Sequence, residues 1–268
     1  ARIFALETPG TNTLLVLIRL SAVANYQGDQ EKAIALIKEA STLAAGLPKT
    51  INTVTIELIL GKYYVTQKNT PLAEEALAKA EAFARETLSD THPTLATILV
   101  TQASLAQANK DYPRAQDRLE AARKSFASDN ALGIAMVETK MGALSLAEGN
   151  LAQAEKMYAS AVKLRGAKPP AFEIGMARLG LADVLIQRKK FVEAGAVLKE
   201  LNKHISLGDG TDLLMRFRVG ESRYYEAIVA EQQGRNEEAL ELARESAECF
   251  EEGSANRNEI DEWIAKHK

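Results

Sequence analysis

Glu148-Gly149-Asn150-Leu151-Ala152-Gln153-Ala154-Glu155-Lys156-Met157-Tyr158 is the stretch on which the fold turns, because the chain repeats its pattern six times. Gln27-Gly-Asp-Gln-Glu-Lys-Ala-Ile-Ala-Leu-Ile and Gln233-Gly-Arg-Asn-Glu-Glu-Ala-Leu-Glu-Leu-Ala follow it position for position. Each has a turn residue, an alanine five places later, and then apolar residues at helical spacing. Further copies start at Lys68, Lys110 and Lys189, so the anchoring alanines are Ala33, Ala73, Ala115, Ala154, Ala194 and Ala239. Their separations are 40, 42, 39, 40 and 45 residues. Self-similarity at such a period marks a repeat architecture, in which each unit buries its apolar face against its neighbours.

Outward from the anchor, each unit reads as two helices. About 16 residues with helical apolar periodicity precede every turn, as in Leu14–Tyr26 and Leu95–Ala108. Twelve residues before each alanine stands a small side chain: Ser21, Gly61, Ala103, Gly142, Ala182 and Ala227. Small residues at both places let the two helices approach closely. Four and seven residues after the alanine come Ile37/Ala40, Leu77/Ala80, Leu119/Ala122, Tyr158/Ala161, Leu198/Leu201 and Ala243/Ser246, one face of a second helix. Gly28, Gly149 and Gly234 can take the left-handed conformation that ends a first helix. Lys68, Lys110 and Lys189 replace that glycine, so these three ends are expected to close by another route. Pro71 and Pro113 fall in the opening turns of second helices, and Pro93 and Pro170 in those of first helices. No sustained period-two alternation points to strands.

These residues resemble the tetratricopeptide repeat: a small residue in the first helix, a Gly-Asp or Gly-Asn turn, then the alanine. The resemblance covers about residues 11–250. The spacing near forty is similar to the longer repeats of kinesin light chains and of bacterial signalling proteins, and Ser89-Asp90-Thr91-His92-Pro93-Thr94-Leu95-Ala96 matches the segment that joins repeats in that subclass. The resemblance implies an all-α fold, a right-handed α-α superhelix of about six helical hairpins plus a C-terminal capping helix. The expected division is a stump of an earlier helix and a linker at 1–10, repeats at 11–49, 50–90, 91–128, 129–168, 169–206 and 211–252, and a cap at 253–268 that carries Trp263 inward. Gln102 and Glu226 depart from the family by standing where a large apolar residue is usual, which weakens those units. Ser206–Asp212 reads as an insertion-like connector.

Composition narrows the function classes. With 33 Lys+Arg, 36 Asp+Glu and a net charge of −3, the chain has no basic field for non-specific nucleic-acid binding. Charges interrupt every apolar run before the roughly 18 residues a membrane span needs. One cysteine, Cys249, gives neither a disulfide nor a cysteine zinc site. His92, His204 and His267 are far apart and form no metal-ligand spacing or hydrolase triad, so no cofactor, metal or catalytic residue is expected. The Leu207-Gly-Asp-Gly-Thr-Asp stretch lacks the carboxylate ladder of a calcium loop and reads as a turn. No signal-peptide pattern is present, which favours the cytoplasm.

The resemblance places binding on the first helices, which in this family line a concave groove for peptides or protein segments. The candidate groove residues are Asn25, Tyr26, Lys62, Thr66, Ser104, Gln107, Lys140, Asp183, Gln187 and Tyr224, beside apolar Leu15, Ile18, Leu58, Val100 and Leu179. Polar groups there would bond a ligand backbone and the apolar set would offer pockets. The Lys and amide pattern with which related domains clamp a chaperone C-terminus is missing: its places hold Ile18 and Ala22, Leu58 and Lys62, Val100 and Ser104. The expected role is a non-catalytic scaffold that binds a protein or peptide, within a larger bacterial signalling protein. The alternative is a ligand- or peptide-sensing domain that controls an attached kinase or transcription regulator.

Overall fold

The Asx residue that follows most of the turns sets where the second helices start. In the computed structural model, which describes residues 9–126, 130–165, 171–208 and 213–267, the side chains of Asp29, Asn69, Asp111 and Asn150 accept hydrogen bonds from the backbone N–H of Lys32, Leu72, Arg114 and Gln153 at 3.0, 3.4, 3.2 and 3.1 Å. Each cap satisfies a donor that the first helical turn cannot pair internally. Lys190 and Arg235 occupy the same place in the last two repeats and make no such side-chain bond.

The first helices end as the sequence leads one to expect at glycine, and unexpectedly at lysine. Gly28 has φ +81°, and the Asp29 N–H reaches back to the Ala24 carbonyl at 2.9 Å. Lys68, Lys110 and Lys189 have φ of +57°, +60° and +59°. Their following residues make the same bond, to Tyr64, Ala106 and Leu185, at 2.9, 2.9 and 2.8 Å. The lysine ends thus close by the glycine route, not by another one. The left-handed strain of a side chain is accepted because the closure pairs carbonyls that would otherwise be left open.

Among the described residues there are thirteen helices and no strand. One compact unit spans residues 1–130 and a second spans 131–268. The first holds three hairpins: α1 (Pro9–Tyr26) with α2 (Gln30–Ala44), α3 (Ile51–Thr66) with α4 (Thr70–Thr87), and α5 (Pro93–Ala108) with α6 (Tyr112–Lys124). The second holds α7 (Ala131–Ala147) with α8 (Leu151–Arg165), α9 (Ala171–Gln187) with α10 (Phe191–Asn202), α11 (Leu213–Gln232) with α12 (Asn236–Glu248), and then α13 (Ala255–His267). Helix α1 takes in Pro9 and Gly10, which the sequence assigns to a linker. The expected stump at 1–7 and the end of the connector at 209–212 lie outside the described residues, as does Pro170.

All six anchoring alanines and all six small residues of the first helices are buried. Two of these contacts show why the notch must be small. A Cβ on Gly61 would fall 2.6 Å from the Leu77 side chain, and one on Gly142 would fall 2.9 Å from the Tyr158 ring. Ser21 uses its hydroxyl instead, donating to the Ala33 carbonyl at 2.9 Å and lying 3.0 Å from the Tyr63 hydroxyl.

Neighbouring hairpins are joined by polar contacts as well as by packing. Gln102 donates to the Glu81 carboxylate at 3.0 Å, and Glu226 accepts from Asn202 at 2.7 Å. Asn202 also accepts from Ser222 at 2.8 Å. The two polar departures from the family pattern therefore bond to the preceding second helix, where the sequence alone reads them as weak points. At the C-terminus, α13 buries Ile260 and Ile264 against Ala227, Ala243 and Ala247. Trp263 meets Tyr224 edge-on at 6.4 Å.

Candidate functional site

Eight of the ten candidate residues fall one, four or five places after the small notch residue of their first helix, which puts them on one face; Lys140 and Tyr224 stand two and three places before it. In the first unit, Asn25, Tyr26, Lys62 and Thr66 are exposed, and Ser104 and Gln107 are half-buried. The Thr66 and Ser104 hydroxyls donate back to the carbonyls of Lys62 and Val100, both at 3.1 Å. Lys62 is exposed at its surface, yet crowding by its surroundings pulls its amine below the usual lysine range. Of the apolar candidates, Leu15 and Ile18 are half-buried, but Leu58, Val100 and Leu179 are buried. Those three are core side chains and offer no pocket; the helix buries that part of its face against its own partners.

In the second unit, Lys140 and Gln187 are exposed and Asp183 and Tyr224 are half-buried. Asp183 and Gln187 are brought together, with the amide donating to the carboxylate at 2.9 Å. Around them lies a set of residues that spacing arguments do not select. The Tyr158 ring comes from α8 through a slot left by two glycines. A Cβ on Gly180 of α9 would be 2.4 Å from its Cζ, and one on Gly142 of α7 would be 2.9 Å from its ring. Burial and then the Asp183 charge push the Tyr158 hydroxyl up to about 12. Burial raises the Asp183 carboxyl above its ordinary range. Glu221 of α11 is pushed up to about 7, first by burial and then by the Asp183 charge, with Arg218 opposing.

Helix α13 closes this side. A cavity of about 160 Å³ is lined by Glu221, Tyr224, Tyr225, Phe250, Asn256, Glu259 and Ile260. Tyr224 is pushed up to about 12 by burial, by the Glu259 charge and by its hydrogen bond to that carboxylate. It also stacks on Tyr225 at 6.5 Å, and burial raises Tyr225 as well. The second unit thus presents Asp183, Glu221 and Glu259 beside the half-buried Tyr224 and Tyr225, with Tyr158 buried beneath them. Glu221, Tyr158, Tyr225 and Glu259 were missed because three different helices and the slot at Gly180 assemble them. A sequence signal for the slot existed in Gly180 itself, a glycine inside a helix with no turn to make.

A larger open cleft, about 810 Å³, lies where α10, the 203–208 segment, α11 and α12 meet. Its charges are already engaged: Arg223 pairs with Glu226 at 2.9 Å and Glu245 at 3.1 Å, and Arg216 donates to the Glu248 carbonyl at 3.1 Å. Cys249 lines it as a buried thiol that burial raises. His92 caps α5, its Nδ1 accepting from the Thr94 N–H at 3.2 Å. Among the described residues no group of three or more His, Cys, Asp or Glu is placed to hold a metal ion. No described helix is long and apolar enough to cross a membrane.

With hairpins, notches and caps in place, the protein is a helical-repeat molecule of the tetratricopeptide kind. Residues 139–202 match the family model described as tetratricopeptide repeat. Those residues belong to that family, and the chain as a whole has its fold. A solved structure of pilF from Pseudomonas aeruginosa is similar over 96% of this chain and 100% of its own, with a TM-score of 0.67 and 17% identity. A kinesin light chain with tetratricopeptide-like repeats from Podosopora anserina is similar over 74% of this chain and 96% of its own, with TM-score 0.58 and 18% identity. A signal-transduction ATPase with a tetratricopeptide repeat sensor, from Pyrococcus horikoshii, is similar over 93% of this chain and 39% of its own, with TM-score 0.66 and 17% identity. No protein of curated function matches the sequence.

Proposed function

We propose that the chain is a non-catalytic module that binds protein or peptide segments along the exposed faces of its first helices. The observation that carries this reading is the set of exposed and half-buried polar side chains on the first helices of each unit. In the first unit the contacts would come from Asn25, Tyr26, Thr66, Ser104 and Gln107, which offer neutral donors and acceptors for a peptide backbone, and from the Lys62 amine. In the second they would come from Lys140, Asp183, Gln187 and Tyr224, with Glu221 added. The carboxylates and tyrosines of that unit suit a segment bearing Lys or Arg, by charge pairing and by cation–π contact.

A peptide array probed with the purified protein tests the proposal. Lys- and Arg-bearing peptides should be retained, and retention should fall as salt rises through the physiological range. The paired change Asp183→Asn with Glu221→Gln should weaken it on the order of tenfold while leaving the helical circular dichroism intact. Equal retention of acidic and basic peptides, or no effect of the paired change, refutes the assignment.

A second reading is favoured by the likeness to the repeat sensor of the signal-transduction ATPase: a domain that senses a ligand or peptide and controls an attached regulator, in a bacterial signalling protein. Thermal-shift screening separates the two. A small molecule present far above its dissociation constant should raise the melting point, since it stabilises only the folded state.

A further inference from the structure

Two helices turn the same spacing toward one cavity. On α11, Glu221, Tyr224 and Tyr225 stand at i, i+3 and i+4, and on α13 Asn256, Glu259 and Ile260 repeat that interval. Residues so spaced share one helix face. Ile260 anchors α13, buried with Ile264 against Ala227, Ala243 and Ala247. The other five, with Phe250 from the segment between α12 and α13, line the cavity of about 160 Å³.

The two carboxylates of this lining have no cation of their own. Among the described residues no Lys or Arg forms an ion pair with Glu221 or Glu259. The nearby basic residues are engaged elsewhere: Arg223 by Glu226 and Glu245 at 2.9 and 3.1 Å, and Arg257 by Asp261 at 2.9 Å. Arg218 opposes the effect of burial on Glu221 without cancelling it. Glu221 is half-buried, and a desolvated carboxylate costs stability unless it is paired. A cation from outside supplies that pairing, and the rings of Tyr224, Tyr225 and Phe250 attract it as well.

The cavity also sets the size of the cation. A cavity of about 150 Å³ admits one benzene-sized molecule. The aliphatic stem and compact ammonium of lysine are of that size. A guanidinium is broader, and Glu259 already accepts from Tyr224, which occupies an acceptor site that a bidentate fork would use.

The geometry points to a lysine seat: the cavity between α11 and α13 takes one lysine side chain of a bound segment, its ammonium held by Glu221, Glu259 and the Asn256 amide oxygen, its stem against Tyr224, Tyr225 and Phe250. The seat rests on the reading of the second unit as a surface for basic segments, and it names the residue held and the place that holds it.

Trp263 reports on the seat, because it is the one tryptophan of the chain and meets Tyr224 edge-on at 6.4 Å. Three glycine–serine peptides, each with a single central lysine, arginine or Nε-acetyllysine, are titrated into the full chain at low salt while its fluorescence is followed. The lysine peptide should give a saturable change. The acetyllysine peptide should bind more weakly on the order of tenfold, and the arginine peptide on the order of threefold. Glu259 is exposed, and Glu259→Gln keeps an acceptor for Tyr224. That variant should leave the melting temperature nearly unchanged and weaken the lysine peptide on the order of fivefold.

The seat is overturned if the lysine peptide gives no saturable change, if either other peptide matches it, or if Glu259→Gln responds as the unchanged protein does. The peptide array decides the parent reading separately. Basic peptides retained there while Trp263 ignores lysine refute the seat alone, and equal retention of acidic and basic peptides refutes both.

Discussion

Gly180→Ala is the most exacting perturbation the structure offers, because local preference and tertiary packing pull in opposite directions. Alanine is the better helix former, and in an exposed helix the exchange would stabilise by about 1 kcal/mol. Here the new Cβ would stand 2.4 Å from Tyr158 Cζ, 2.5 Å from Cε1 and 2.8 Å from the hydroxyl. Ordinary carbon contacts lie at about 3.5–4.0 Å, so the ring has to withdraw by about 1 Å. It is confined on the side of α7, where a Cβ at Gly142 would be only 2.9 Å away. The cluster around it, with Ala154, Leu181, Ala182, Val184 and Leu198, is buried. Overpacking of this kind costs about 1–3 kcal/mol, which exceeds the propensity gain over most of that range. Net destabilisation of up to about 2 kcal/mol is expected in equilibrium urea unfolding followed by circular dichroism. In a Tyr158→Leu background the ring is gone and Gly180→Ala should become neutral or stabilising, giving a coupling of about 1 kcal/mol or more in the double-mutant cycle. If Gly180→Ala stabilises the otherwise unchanged protein, the slot is not tight and the placement of Tyr158 beside Asp183 falls with it.

Three other changes follow from the same structure. Ala154→Leu overfills the contact with the first helix of its hairpin and should lower stability by about 1–3 kcal/mol, read as an earlier thermal midpoint; an unchanged midpoint means the repeat register is wrong. Lys68→Gly, Lys110→Gly and Lys189→Gly each relieve left-handed strain of about 1–2 kcal/mol at an entropic cost of about 0.5–1, so each should stabilise by about 0.5–1 kcal/mol. The three lie in separate hairpins and should add in urea melts. Burial pushes the Glu221 carboxyl up to about 7, above its ordinary value of 4.5. The folded protein therefore holds this proton more tightly, and the stability linked to it is fully present below about 4.5 and lost as pH rises through about 7. Melting curves between pH 5 and 8 should show that loss, and Glu221→Gln should remove it and raise the midpoint at pH 8.

Hairpin register was readable from the chain alone because it is written in short-range chemistry. Ser21 or Gly61 twelve residues before an alanine, and Asp29 or Asn69 one residue after the turn, lie within a single hairpin, so periodicity and capping preferences reveal them. The exposed row that includes Asn25, Lys62 and Gln187 follows from the same register. Other features required the three-dimensional arrangement. Whether Lys68 would copy the backbone of Gly28 depends on the balance between local strain and the carbonyls its closure pairs, which residue type does not reveal. Leu58, Val100 and Leu179 share a register with exposed polar residues, and only packing shows that they are core. Asp183, Glu221, Tyr158 and Glu259 come from four helices, and the shifted protonation of the first three arises from water excluded by elements distant in sequence. Local order propagates along a helix and can be inferred from spacing; desolvation depends on every group nearby, and becomes knowable once the helices are packed.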